Sequence, residues 1–117
     1  MLRCRLALLI GATLAPSLAF AGNYAPLNCA KAQSQAERTI CGSYALGQDE
    51  ARMATLYAVA TSLVAMGRRG DMEDAQRAWL RRREACGDRT ACLSKAYADR
   101  IGALDTVIDD IKSRGPF

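Results

Sequence analysis

The stretch QRAWLRRREACGDRTACLSKAYADR, residues 76–100, decides the fold because it contains parts of two predicted helices and the turn between them. Apolar side chains before and after this turn recur at intervals of three and four, as they do along one face of an α-helix. Gly87-Asp88-Arg89 predicts the turn itself, and Thr90 predicts the N-cap of the next helix. Cys86 and Cys92 flank the turn, so a disulfide between them would hold the two helices as a hairpin.

A short first helix is predicted upstream by a capping-box pattern. Ser34 and Glu37 are three residues apart and shortly precede Ile40, a spacing that is typical of a helix N-terminus. This first helix should reach about Cys41 or Gly42.

Two longer helices are predicted between Gln48 and Cys86. The first of them should run from Gln48 to Met66, and Gly67-Arg68-Arg69-Gly70 predicts the turn that ends it. Asp71 is the expected cap of the next helix. The expected buried positions are Met53, Leu56, Tyr57, Ala60, Leu63 and Val64 on the earlier helix and Met72, Ala75, Trp79, Leu80 and Cys86 on the later one.

The last helix should follow Thr90 and end before Gly115-Pro116. Its expected buried face is Leu93, Tyr97, Ile101, Leu104, Ile108 and Ile111. The sequence has no strand-like alternation, and short connections favour antiparallel packing of consecutive helices. The predicted fold is therefore all-α: a small antiparallel bundle of one short and three longer helices over residues 29–114, stapled by two disulfides.

The N-terminus is typical of a secretory signal. Arg3 and Arg5 precede an apolar run, and Ala19-Phe20-Ala21 is a small-x-small cleavage site, which predicts a cleaved signal peptide over residues 1–21 and a flexible leader over 22–28. A membrane anchor is the alternative, but it needs about 20 apolar residues, and this run is shorter and contains Pro16. We expect a periplasmic or secreted protein without a stable membrane anchor after cleavage.

Export changes the interpretation of the cysteines. Cys4 leaves with the signal, and an even set remains in an oxidising compartment, which predicts two disulfides. The reach of the chain favours Cys29 with Cys41 and Cys86 with Cys92, although crossed pairings stay open. A zinc site would normally have closer cysteines or histidine, and the sequence contains no histidine. We predict no metal and no cofactor.

Composition argues against an enzyme and against a nucleic-acid partner. The formal net charge of +4 falls to +2 when Arg3 and Arg5 are removed, which gives no strong electrostatic signature for nucleic acid. There is no histidine to act as a general base, and bridged cysteines offer no thiol nucleophile. Binding or inhibition is the preferred class of function.

Many spaced positions resemble one family of exported domains. The similar positions are Cys29-Ala30-Lys31-Ala32, Ser34, Glu37, Ile40-Cys41, Leu46, Asp49, Met53, Tyr57, Gln76, Trp79-Leu80, Arg83, Cys86, Cys92-Leu93, Tyr97 and Arg100-Ile101. Together they resemble the small domains named for the mycobacterial lysozyme inhibitor LprI. The resemblance implies an all-helical, disulfide-stapled envelope protein and, for the founding member, inhibition of lysozyme. Gly47 and Gln48 depart from the family pattern, so the second helix is expected to start irregularly.

The expected function is therefore binding and occlusion of a lysozyme-type muramidase. The alternative is a structural or interaction module that binds another envelope protein or a cell-wall polymer. Arg68 and Arg69, on the predicted Gly67–Asp71 turn, form the candidate inhibitory loop because guanidinium groups bind carboxylates such as those of a lysozyme cleft. An ordinary polar turn is the other interpretation, and a charge of +2 would not steer the protein toward basic lysozymes.

The recurrent polar residues allow two interpretations. Gln76, Trp79 and Arg83 share a helix face, which would suit either a contact surface or a buried core with Arg83 paired to an acid. We favour the core, with Asp49 as the acid and Glu37 as a second possibility. Tyr57 and Tyr97 are expected to be core rings with hydrated hydroxyls. Glu37 and Arg100 complete the residues assigned a structural role, whereas Arg81 and Arg82 are expected to face solvent.

Overall fold

A computed structural model describes residues 26–115 and contains four α-helices in that range. The predicted signal peptide and most of the predicted leader lie outside the described residues. The elements are a 3-10 turn at Cys29–Lys31, α1 at Gln35–Gly42, α2 at Tyr44–Leu63, α3 at Met66–Ala85 and α4 at Thr90–Ser113. Since residues 26–115 contain no strand, the all-α prediction is confirmed.

Helix α1 begins where the capping-box pattern predicted. The Ser34 hydroxyl accepts a hydrogen bond from the Glu37 backbone N–H at 3.0 Å, and the Glu37 carboxylate accepts from the backbone N–H of Ser34 at 3.2 Å. The same carboxylate accepts from the Gln33 N–H at 2.7 Å. These backbone donors, that of Gln33 foremost, lower the pKa of Glu37.

Helix α2 begins at Tyr44, four residues before the predicted start at Gln48. Ser43 is its N-cap and accepts a hydrogen bond from the Leu46 N–H at 3.3 Å. Gly47 and Gln48 are ordinary helical residues, so the expected irregular start is wrong. Glycine in a helix costs about 1 kcal/mol; burial of Leu46, only 1% exposed, and the Ser43 cap offset that cost.

The connection between α2 and α3 differs most from the prediction. Gly67-Arg68-Arg69-Gly70 belongs to α3, so the predicted turn and the predicted cap at Asp71 are both wrong. The chain reverses instead at Val64–Ala65, where both residues have extended backbone angles. Arg69 explains why helix continues through two glycines: its Nε donates to the Thr61 carbonyl at 2.8 Å and its Nη2 to the Val64 carbonyl at 3.5 Å. A cation there also interacts favourably with the C-terminal dipole of α2.

The α3–α4 hairpin has the predicted turn. Gly87 has a φ of 59°, a left-handed conformation that glycine adopts without steric cost. Thr90 is the first residue of α4 rather than its cap, which is Arg89. The Arg89 side chain donates to the carbonyls of Ala85 and Cys86 at the end of α3, both at 3.0 Å. Helix α4 ends at Ser113, and Gly115 follows with a φ of 94°.

Both disulfides have the predicted local pairing. Cys29 bonds to Cys41 and Cys86 bonds to Cys92, with Cα–Cα distances of 5.6 and 5.5 Å. The first ties the N-terminal turn to the end of α1, and the second closes the α3–α4 hairpin.

The core is formed mainly where α2 packs on α4, with α1 and α3 on its flanks. Its largest fully buried side chains are Trp79, Tyr97, Ile40, Leu46, Met53, Leu93 and Leu104. Leu63 and Ala75 were expected to be buried but are exposed. Leu63 lies at the very end of α2. The inward face of α3 follows Met72, Gln76, Trp79 and Arg83. The polar side chain of Gln76 therefore occupies the buried position that the apolar pattern assigned to its neighbour Ala75.

Within residues 26–115, no helix combines the length and apolar character of a membrane span.

Candidate functional site

Several of the family-pattern residues meet in one buried group of polar side chains. We call Glu50, Gln76, Arg83, Tyr97 and Arg100 the polar core; each is at most 9% exposed. It lies among α2, α3 and α4. Because buried charges are stable only when they are paired and hydrogen-bonded, the contacts of each member indicate what the group does.

Glu50 is the acceptor at the centre of the polar core. Its Oε2 accepts from the Tyr97 hydroxyl at 2.6 Å and forms an ion pair with Arg83 Nη1 at 3.3 Å. Its Oε1 accepts from the backbone N–H of Leu27 at 3.0 Å. One carboxylate therefore connects the N-terminal segment, α2, α3 and α4.

The prediction that Asp49 pairs with Arg83 is wrong by one residue. Glu50 has the helical spacing of the buried α2 residues Leu46, Met53 and Tyr57, whereas Asp49 is rotated by about 100° from it and is half-buried. Arg83 also pairs with Glu84, with Nη2 2.8 Å from Oε1. The signal that would have identified Glu50 was present in the sequence: it continues the 46, 50, 53, 57 pattern.

Trp79 and Tyr97 form the aromatic wall of the polar core. Trp79 is 1% exposed, donates through Nε1 to the Ala96 carbonyl at 2.8 Å and meets Tyr97 edge-on with ring centroids 5.3 Å apart. The Arg83 guanidinium lies 5.6 Å from the Trp79 ring centroid. This placement agrees with the core interpretation rather than with an exposed contact surface.

The expectation of a hydrated hydroxyl on Tyr97 is wrong. The ring is fully buried and its hydroxyl donates to Glu50. Burial, and secondarily the bond to Glu50, raise the pKa of Tyr97 far above its ordinary value. The ring of Tyr57 is also buried, and burial is the first cause of its raised pKa.

Gln76 and Arg100 form the second half of the polar core. Arg100 Nε donates to Gln76 Oε1 at 2.8 Å, and Gln76 Nε2 donates to the sulfur of Met53 at 3.3 Å. The Arg100 guanidinium lies 5.9 Å from the Tyr57 ring centroid. Burial lowers the pKa of Arg100. Among residues 26–115, its Nη2 has no hydrogen-bond partner.

The polar core is therefore built to hold helices together. Its carboxylate accepts from the Leu27 N–H, from Arg83 and from the Tyr97 hydroxyl. In the part of the chain that the structure describes, no three His, Cys, Asp or Glu side chains are grouped to hold a metal ion.

Arg68 and Arg69 lie in the first turn of α3, not on a projecting loop. Arg69 is engaged by the carbonyls at the end of α2, as described above. Arg68 is about half exposed and forms an ion pair with Asp110 of α4 at 3.2 Å. The same end of the bundle exposes Val59, Leu63 and Met66, with Met66 84% exposed. Sequence reasoning missed these exposed apolar side chains because it counted Leu63 as core and Met66 only as the end of a helix.

Comparison with known families agrees with this architecture. The model of the family described as Lysozyme inhibitor LprI matches residues 28–114. The chain belongs to the LprI lysozyme inhibitor family. The match includes all four helices and both disulfides, so the resemblance found in the sequence is confirmed. No curated protein and no solved structure matches the chain in the same comparisons.

Proposed function

We propose that this LprI-family chain is an exported envelope protein that binds a lysozyme-type muramidase and occludes its cleft. The observation that carries the proposal is the family match over residues 28–114, which includes the four helices found in residues 26–115 and both disulfides. A disulfide-stapled domain of this kind suits the periplasm or the extracellular space, where disulfides persist. An intact mass of the exported protein that corresponds to a chain beginning at Gly22 would support that location. A mass that shows residues 1–21 retained would contradict it.

The candidate contact surface is the end of the bundle where α2 meets α3. We call Val59, Leu63, Met66 and Arg68 the corner surface. Its three apolar side chains are 43%, 48% and 84% exposed, and methionine and arginine are enriched in protein interfaces. Arg68 follows in the first turn of α3, and its side chain is about half exposed although it pairs with Asp110.

This surface revises the role expected for the two arginines. Arg68 stays a candidate to bind a carboxylate of the muramidase. Binding would then replace its ion pair with Asp110. Arg69 instead supports the corner from within, since it binds the Thr61 and Val64 carbonyls. Replacing Arg69 is therefore expected to destabilise the corner, so it is a poor test of contact alone.

A lysozyme turbidity assay with purified mature protein tests the proposal. We expect inhibition by the wild type and at least tenfold weaker inhibition by the double variant Met66→Ser with Arg68→Ala, because an apolar anchor and a charge-assisted contact would both be lost. The matched control is Arg81→Ala, which removes an exposed arginine near the C-terminal end of α3. It should inhibit as the wild type does.

Two outcomes would count against parts of the proposal. If the wild type at micromolar excess leaves several lysozyme classes fully active, inhibition is rejected and the envelope-module alternative takes its place. If the double variant inhibits as strongly as the wild type while the melting temperatures agree, inhibition stands but the corner surface is not the contact.

A further inference from the structure

Two neighbouring cavities between α3 and α4 share Arg100 and Ala103 in their walls. The larger has a volume of about 420 Å³ and the smaller about 120 Å³. We call the larger one the α3–α4 groove; besides the two shared residues it is lined chiefly by Arg68, Asp71, Met72, Ala75, Leu104 and Val107. A cavity of this size lies in the range that small-molecule sites occupy, about 300–1,000 Å³.

Arg100 has fewer partners than a buried cation normally has. It is 9% exposed, and its polar contacts in residues 26–115 are one hydrogen bond to Gln76 and the face of the Tyr57 ring. It forms no ion pair there, and its Nη2 lacks any acceptor. Arg83 is an internal comparison: it is also buried, at 3% exposed, but it pairs with Glu50 and Glu84. Arginine is rarely buried without a paired anion. Among the described residues, the Arg100 site therefore lacks the anion that the Arg83 site has.

The walls of the groove indicate the rest of the ligand. Met72, Leu104 and Val107 provide an apolar lining, and Ala75 is small and exposed where the groove meets solvent. Arg68 and Asp71 add one charge of each sign. A fully charged ligand such as sulfate would leave the apolar walls unused. The match is to a molecule with an anionic head and a short apolar body.

We propose that the α3–α4 groove binds a carboxylate with a short apolar body, with Arg100 as the carboxylate anchor. The guanidinium presents a planar pair of donors that suits a carboxylate. Because Nη2 is enclosed, binding requires the guanidinium to turn from the Tyr57 ring toward the groove while Nε keeps its bond to Gln76. The ligand is either a free small carboxylate or the C-terminal carboxylate of a peptide with small apolar side chains. This site is separate from the proposed contact with a muramidase except for Arg68.

Titration of ¹⁵N-labelled mature protein tests the proposal directly. Hexanoate is the first probe, and hexanamide is its matched control, since the two differ only in the charged head. We expect hexanoate to shift the Arg100 Nε–Hε signal saturably and to bind at least tenfold more tightly than hexanamide. N-acetyl-alanyl-alanine and its C-terminal amide form the second pair, and whichever acid binds more tightly identifies the source of the carboxylate.

Substituting the buried Arg100 could itself unfold the protein, so a second variant blocks the groove and leaves Arg100 in place. Ala75→Leu places a larger side chain at an exposed helical position in the groove, and Ala98→Leu makes the same change at an exposed position of α4 that does not line it. We expect Ala75→Leu to weaken hexanoate binding at least tenfold and Ala98→Leu to leave it unchanged. The proposal is overturned if neither acid gives a saturable shift up to solubility, if the acids and amides bind equally, or if Ala75→Leu binds as the wild type does.

Discussion

At the scale of single residues, the position of one carboxylate decides how four parts of the chain meet. Glu50 is 4% exposed and bonds to Arg83, Tyr97 and the backbone of Leu27, whereas its neighbour Asp49 is half-buried. Breaking a buried ion pair by removing one charge costs about 3–5 kcal/mol. We expect Glu50→Gln to lower the free energy of unfolding by about that amount, measured by urea denaturation.

Asp49→Asn is the matched control for this prediction. It makes the same chemical change one position away, at a half-buried side chain outside the polar core, so its loss of stability should be much smaller than that of Glu50→Gln. Equal losses in the two variants, or a larger loss in Asp49→Asn, would contradict the central place of Glu50.

Tyr97 gives the polar core a pH dependence of definite sign. Its pKa is raised in the folded protein by burial and by Glu50, so the stabilisation is complete below the unfolded value of about 10 and is lost as the pH rises above it. Tyr97→Phe removes the hydroxyl donor to Glu50, and we expect it to lower stability at neutral pH by about 1–3 kcal/mol.

The same variant should depend less steeply on pH in the alkaline range. Urea unfolding of wild type and Tyr97→Phe between pH 7 and 11 measures the difference. Tyr57 contributes in the same direction through its own raised pKa, so both proteins should lose some stability. Identical slopes above pH 10 would show that Tyr97 is not the group responsible.

Residue-level predictions from the sequence succeeded where one helix contains the whole signal. The capping box of Ser34 and Glu37 is such a case, because donor and acceptor are three residues apart. The bond between Tyr97 and Glu50 joins residues 47 positions apart. It depends on how α2 and α4 are rotated about their axes, which the spacing within either helix does not determine.

At the scale of elements, glycine substitutions at the start of α3 test whether residues 67–70 are helical or form a turn. Gly67 and Gly70 are helical, and a Cβ at either position would meet nothing within 4 Å. Alanine there should therefore stabilise the protein by about 0.5–1 kcal/mol per site, since it favours helix and restricts the unfolded chain. Thermal and urea unfolding of Gly67→Ala and Gly70→Ala measure this gain.

Gly87→Ala is the opposite case. Its φ of 59° disfavours any residue with a Cβ, so we expect a loss of stability of about 1 kcal/mol. Should Gly67→Ala or Gly70→Ala destabilise the protein as Gly87→Ala does, the segment would be a turn, as its composition suggested.

The error at this segment has a physical origin. Two glycines within four residues are a strong local signal for a turn, and each lowers helix stability by about 1 kcal/mol. Contacts outside the segment reverse the outcome: Arg69 satisfies carbonyls of α2, and Val64 is buried at the corner. Where local and tertiary preferences agree, as along α4, the sequence predicted both ends of the helix to within a residue or two.

At the scale of the whole molecule, the two disulfides join different parts of the chain. The Cys86–Cys92 bond closes a separation of six residues at the hairpin, whereas the Cys29–Cys41 bond spans twelve and carries the N-terminal segment to α1. Leu27, two residues before Cys29, then reaches Glu50 in the polar core. Reach along the chain favoured both pairings but left crossed ones open, and it gave no indication of the bond from Leu27, which depends on the final position of α2.

Removing each disulfide separately should therefore give similar losses of stability but different local effects. Chain entropy predicts about 2–3 kcal/mol for each loop, measured by urea unfolding of Cys29→Ala with Cys41→Ala and of Cys86→Ala with Cys92→Ala. Hydrogen exchange should distinguish them: the Leu27 amide should lose protection in the first variant and keep it in the second, because only the first disulfide holds that amide against Glu50. If the Leu27 amide exchanges equally slowly in both variants, the N-terminal segment is held by the polar core alone and the Cys29–Cys41 bond is not what positions it.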